Sequence, residues 1–166
     1  MQYTQPYKLI FLYATALLMI FSFPGQLEIA LIMVILPSIF GFRASKHDFK
    51  YGKTALSAAF VLSALLTFLM DNIAAVQGFF LIALPEEYFF RTIYFNNPFS
   101  KDKLKNCVMN GLIFSFFHGI LNSGFLPWLT FFPGFILARI YDKKPSLYLV
   151  AMIHWTMNLL YSLCFH

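Results

Sequence analysis

The sequence predicts an all-α fold: a polytopic transmembrane bundle of about seven helices, N-terminus inside, with residues 1–166 forming a single integral membrane domain. Three observations lead to it. Hydrophobic residues make up 60% of the chain and charged residues 11%, with a mean hydropathy of +0.70, whereas soluble domains average roughly 45–50% apolar and about 25% charged. Apolar runs of spanning length alternate with short polar or turn-forming connectors. The basic residues collect on alternate connectors only, which is the distribution that orients a membrane protein.

The first apolar run covers residues 9–23 and stops at Pro24-Gly25, a turn signal. No small-x-small cleavage site precedes the next run, so it is expected to be a retained helix and not a signal peptide. The second run, 27–42, contains Pro37, which kinks a membrane helix without having to end it. A basic connector with Arg43, Lys46, Lys50 and Lys53 leads to a third run at 54–70, and Asp71-Asn72 turns the chain into a fourth at 73–95. The next connector carries Lys101, Lys103 and Lys105, followed by a fifth run at 106–121 with Asn122-Ser123-Gly124 as its exit. The sixth run, 127–138, ends in the basic stretch Arg139–Pro145, and the seventh, 147–164, closes the chain.

With the N-terminus inside, every Lys and Arg except Arg91 falls on an inner connector, and the turns at 24–26, 71–72 and 122–126 hold none. The net charge of +5 therefore implies a lipid bilayer as partner and not nucleic acid. Cys107 and Cys164 show no metal-type spacing and are read as two unpaired thiols.

The chain is organised around Pro85-Glu86-Glu87-Tyr88-Phe89-Phe90-Arg91, three ionised groups inside an apolar run. A charge at membrane depth costs at least ~2.5–3.5 kcal/mol, so such groups need partners. Glu86 and Glu87 point about 100° apart on a helix. Glu87 stands four residues before Arg91, the favourable order for an ion pair, which leaves Glu86 for another helix or a cavity. Pro85 lacks an N–H and frees the Leu81 carbonyl, loosening the helix beside the carboxylates.

Two other runs supply complementary groups: His118 on the fifth, and His154 with Asn158, at i and i+4, on the seventh. Counted from the basic connectors, Glu86 and His154 lie ~10–15 Å deep and His118 and Asn158 ~17–20 Å deep. All four can thus converge in the inner half of the bilayer. A carboxylate and an imidazole sharing one water form a general base. A second imidazole and a carboxamide can stabilise the oxyanion of a carbonyl under attack. That set describes peptide hydrolysis without a covalent intermediate or a cofactor. No Gly-x-Ser-x-Gly and no His-Glu-x-x-His occurs. Zinc held by Glu86, His118 and His154 is the metal alternative.

Glu86-Glu87-x-x-x-Arg91, Phe114-x-x-x-His118 and His154-x-x-x-Asn158, in that order on three apolar runs, resemble the CPBP family, the CAAX prenyl endopeptidases and bacteriocin-processing (Abi) proteins. The resemblance covers about residues 73–160. It implies a metal-independent, glutamate-type intramembrane endopeptidase acting on a membrane-anchored protein or peptide tail. Glu86 and His118 would activate water, His154 and Asn158 would bind the oxyanion, and Glu87 and Arg91 would support the first of these helices. His118-Gly-Ile-Leu-Asn122 also fits His-x-x-x-Asn, but Phe114 and the chain order make His118 the second motif and Asn122 a helix-end residue. The short chain resembles compact prokaryotic members, which implies a bacterial or archaeal inner membrane. Two other classes fit parts of the pattern: a non-enzymatic scaffold or immunity-type factor, and a transporter using Glu86 and the histidines as a proton relay, although no internal repeat supports it.

The charge pattern yields a topology test. With Cys107 and Cys164 replaced by serine, a cysteine introduced by Asn72→Cys should react with a membrane-impermeant maleimide only from outside. One introduced by Lys103→Cys should react only from inside. The opposite result would invert the orientation.

Overall fold

In the computed structural model, residues 6–22, 25–49, 54, 57–58, 61, 78–98 and 100–165 are described. Their regular structure is entirely helical, in six principal helices. These are α1 (Pro6–Ser22), α2 (Gln26–Ile39), α3 (78–96), α4 (Lys103–Leu121), α5 (Phe131–Lys143) and α6 (Leu147–Phe165). The third predicted run and the turn at Asp71-Asn72 lie largely outside these residues, as do the first residues of the fourth run.

Apolar side chains surround α1 and α2 on all sides. Leu9, Leu12, Tyr13, Ala16 and Ile20 form the buried stripe of α1, while Ile10, Phe11, Leu18 and Phe21 are exposed. In α2, Ile32, Met33 and Leu36 are buried and Leu31, Val34, Ile35 and Ile39 are exposed. A helix apolar all round has no face suited to water. Pro37 sits inside α2 without breaking it, and the helix ends two residues later than the proline, at Ile39. Gly41, at φ +79°, closes the end: its N–H donates to Ser38 O and that of Phe42 donates to Pro37 O. This paired closure needs a left-handed residue, which glycine adopts without penalty.

The 19-residue α4 is long and apolar enough to cross a bilayer; α1 and α2 are apolar but shorter. Asp102 caps α4 by accepting from the N–H groups of Leu104 and Lys105, so the helix begins three residues before the run at 106–121. At the other end, Asn122 donates through both backbone N–H and Nδ2 to His118 O, the helix-end role expected for it.

The sixth predicted run departs most from expectation. A short 3₁₀ turn, Leu126–Thr130, takes its first residues, and α5 continues through Arg139 to Lys143. Arg139 and Asp142 pair at i and i+3 within this last turn, 3.8 Å apart, so some of the presumed connector is helical. At 13 residues α5 is ~20 Å long, less than a bilayer core. The run at 127–138 is thus not a full-length single span.

Among the described residues, a buried hydrophobic cluster joins α1, α2, α3 and α4 through Leu12, Tyr13, Met33, Phe89, Phe90 and Phe117. Ala151 and Trp155 of α6 pack on Phe79 and Ala83 of α3, and Val150 packs on Leu137 and Tyr141 of α5. At the Lys46–Phe49 turn, buried Asp48 accepts from Ser45 N–H, Asn96 Nδ2 and Tyr141 Oη, tying the 43–49 loop to the ends of α3 and α5.

Helices α4 and α5 approach closely through two glycines. A Cβ on Gly111 would lie 3.1 Å from Phe135 N and 3.2 Å from Phe131 O; one on Gly134 would lie 3.0 Å from Phe114 Cδ1. Gly134→Ala must therefore displace the Phe114 ring, and Gly111→Ala must push the α4 and α5 backbones apart. Each should lower stability by ~1–3 kcal/mol, with Gly111→Ala the worse. Unchanged unfolding midpoints in detergent would show that the two helices are not in this contact.

Candidate active site

Glu86, Glu87 and Arg91 all lie on α3, whose winding is uneven. The helix follows the wider π pattern over Gly78–Ala83 and again over Tyr88–Ile93, with a single α turn, Leu84–Glu87, between them. Pro85 stands at the start of that turn, where its missing N–H leaves the ladder unsupported. The two carboxylates thus occupy a tight turn bounded by loosened ones, a winding often found at functional sites.

Each carboxylate takes a different set of partners. Glu87 Oε2 and Arg91 Nε form an ion pair at 3.0 Å, both side chains fully buried. Glu87 Oε1 accepts from His154 Nδ1 at 2.9 Å. Glu86 Oε2 instead faces the Nε2 atoms of His154 and His118, at 3.7 and 3.8 Å. It is buried and has no hydrogen-bond partner among the described residues. These separations exceed a direct hydrogen bond, and a water touching both partners would sit to one side of the line joining them.

The ring orientations follow from what each nitrogen meets. His118 Nδ1 lies 2.9 Å from Phe114 O. A carbonyl can only accept, so Nδ1 carries a proton, and Nε2 presents a lone pair toward Glu86 whenever the ring is neutral. His154 donates from Nδ1 to Glu87, so its Nε2 bears a proton only as imidazolium. Phe114 is wedged among these groups: its ring lies 4.3 Å from the His118 ring, 5.7 Å from the His154 ring, and 4.7 Å from Arg91 Cζ, which sits over its face.

The structure therefore brings together Glu86, Glu87, Arg91, His118 and His154 from α3, α4 and α6. It does not bring Asn158 into the cluster. That side chain is exposed and has no hydrogen bond among the described residues. Position i+4 advances ~6 Å along a helix and turns ~40° from the first residue. A matching depth is insufficient to place it. Among the described residues no group of three or more His, Cys, Asp or Glu side chains is arranged to hold a metal ion. An apolar groove of about 480 Å³ between α1 and α4, lined by residues including Leu17, Met109 and Phe116, does not include the cluster.

Among known families, residues 68–160 match the one described as type II CAAX prenyl endopeptidase Rce1-like. The chain belongs to the Rce1-like family. The match spans more than half of the sequence and contains every residue of the cluster. Neither the curated proteins nor the solved structures yield a match. Membership places this chain with the membrane proteases of the CPBP group, in agreement with its apolar helices.

Two features of this Rce1-like site are not anticipated from the sequence. Helical spacing gives Glu87 to Arg91 alone, yet Glu87 also holds His154. Asn110 is the other: its Oδ1 accepts from Arg91 Nη1 at 2.5 Å and its Nδ2 donates to Phe90 O. A signal for it exists, since Asn110, Phe114 and His118 recur every four residues and so share one face of α4.

Breaking a buried ion pair from one side leaves the other charge uncompensated. Arg91→Ala should cost ~3–5 kcal/mol, while replacing both partners, Glu87→Leu with Arg91→Met, should recover most of that loss. Unfolding in detergent distinguishes the two; equal stability of Arg91→Ala and the parent would mean that the pair carries little of the fold.

Proposed function

We propose that this Rce1-like chain is an intramembrane endopeptidase that hydrolyses a peptide bond in a membrane-anchored protein or peptide tail. The observation that carries the proposal is the buried Glu86 Oε2, which forms no hydrogen bond among the described residues and faces two imidazole nitrogens at 3.7–3.8 Å. A family described as CAAX prenyl endopeptidases supports the reaction class and a membrane-associated peptide as substrate.

A water beside the Glu86–His118 pair, with His118 neutral, meets two acceptors, the carboxylate oxygen and the His118 Nε2 lone pair. It directs one proton to each and turns an oxygen lone pair outward. As that lone pair attacks the scissile carbonyl, Glu86 takes a proton, and the same proton is later available to the departing amine. His154, held by Glu87, donates from Nε2 to the developing oxyanion when it is imidazolium. A peptide lying along the exposed end of α6 would bring its carbonyl between His154 and Asn158, making Asn158 the second donor. In this mechanism Glu87 and Arg91 position His154, no metal takes part, and the enzyme resides in a bacterial or archaeal inner membrane.

The test uses purified protein in liposomes with two probes, a farnesylated CAAX reporter peptide and a set of lipid-anchored peptides with free C-terminal tails. Cleavage is read by mass spectrometry. Glu86→Gln keeps the shape but removes the base, and kcat should fall by ~10²–10⁴-fold with the protein still folded. Full cleavage by that variant would sink the proposal. Chelators should leave the rate unchanged. Loss of activity with chelator and recovery with zinc would convert the same residues into a metal site.

A further inference from the structure

We infer that Asn110 is a positioning residue for this site, acting through Arg91 and Glu87 to fix the orientation of His154. The inference rests on the hydrolytic reading for its consequence in catalysis, but its structural content is independent of any activity.

The path of polar contacts begins on α4, where Asn110 is wholly buried. Its amide supplies one acceptor and two donors in one plane, and two of these are used: Oδ1 accepts from Arg91 Nη1, and Nδ2 donates to the Phe90 backbone carbonyl. Arg91 is thereby gripped from a second helix while its Nε faces Glu87 Oε2. Glu87 in turn holds His154 Nδ1 from α6. Three helices are thus connected through polar atoms, and His154 Nε2 ends the path 3.7 Å from Glu86 Oε2.

Other elements around Arg91 do not replace this contact. Phe114 lies over the guanidinium at 4.7 Å and limits its tilt, but a ring face cannot fix rotation within the guanidinium plane. Arg91 Nη2 has no hydrogen-bond partner among the described residues. Nε lies 3.0 Å from Glu87 Oε2 as an ion pair but forms no hydrogen bond among those residues, so with Nη1 released no directional contact stops the fork from swinging. The Glu87 carboxylate then loses its fixed plane, and with it the Nδ1 acceptor that sets the His154 ring.

The experiment pairs a magnetic-resonance readout with kinetics. Protein labelled with ¹⁵N-histidine contains His47, His118, His154 and His166, and the His154 ring signals are assigned with His154→Gln. In the parent, the His154 Nδ1 proton should exchange slowly with solvent because Glu87 holds it. In Asn110→Ala that proton should exchange rapidly, with the His118 signals little changed. On a cleavable probe, kcat should fall by about 10–100-fold while KM stays near the parent value.

Arg91→Lys supplies a second variant, retaining the charge but lacking the fork that spans Glu87 and Asn110. If Asn110 acts through Arg91, adding Asn110→Ala to Arg91→Lys should change His154 exchange little further. An unchanged His154 signal in Asn110→Ala, or independent additive effects of the two changes, would overturn the inference. A changed His154 signal supports it even where the parent cleaves neither probe, an outcome that counts against the proposed function alone.

Discussion

A guanidinium in an apolar interior is tolerated only where its charge is compensated. Arg91 meets this condition through Glu87 on its own helix, Asn110 on α4 and the Phe114 ring. Removing charges from water is expensive, and their mutual attraction offsets that cost only with good geometry and further hydrogen bonds. The pair therefore constrains its surroundings: α3 must carry Glu87 and Arg91 within reach of each other, α4 must present Asn110, and α6 must bring His154 to the remaining carboxylate oxygen. The same constraint that makes the cluster costly to bury gives it a defined shape.

The helices reach this arrangement by two kinds of backbone accommodation. Along α3, loosened winding on either side of Leu84–Glu87 lets adjacent glutamates serve different partners. Between α4 and α5, Gly111 and Gly134 permit an approach that would otherwise be blocked by Cβ atoms, and Gly134 leaves the Phe114 ring in place against both imidazoles. Packing and chemistry are coupled here: the ring that fills space beside Gly134 also covers Arg91. The Rce1-like match over residues 68–160 encloses these accommodations together with the polar groups that they serve.

Glu86 stands apart from this constraint. Its side chain is partly exposed although Oε2 is buried, it forms no direct hydrogen bond through Oε2 among the described residues, and it faces two imidazoles whose other nitrogens are already occupied. A fully satisfied network rigidifies a core, whereas an unsatisfied acceptor at its edge is available to a ligand. Glu87, ion-paired to Arg91 and hydrogen-bonded to His154, is the supporting carboxylate of the proposed function, and Glu86 its reactive one.

Much of this was legible in the residues. Composition and the alternation of apolar runs with basic connectors determined a helical membrane protein, because apolar length and charge asymmetry act through the bilayer without reference to tertiary contacts. Spacing determined the Glu87–Arg91 pair, because i and i+4 meet on any helix. It also singled out Glu86, His118 and His154, because polar groups in apolar runs are costly unless used. Tertiary structure alone decided the rest. It shifted α5 to start at Phe131 and run on through Arg139, gave Glu87 a second partner in His154, introduced Asn110 as the hold on Arg91, and left Asn158 outside the cluster. Depth along a helix can be counted from sequence, but direction around it relative to other helices depends on how glycines, rings and loosened turns let those helices pack.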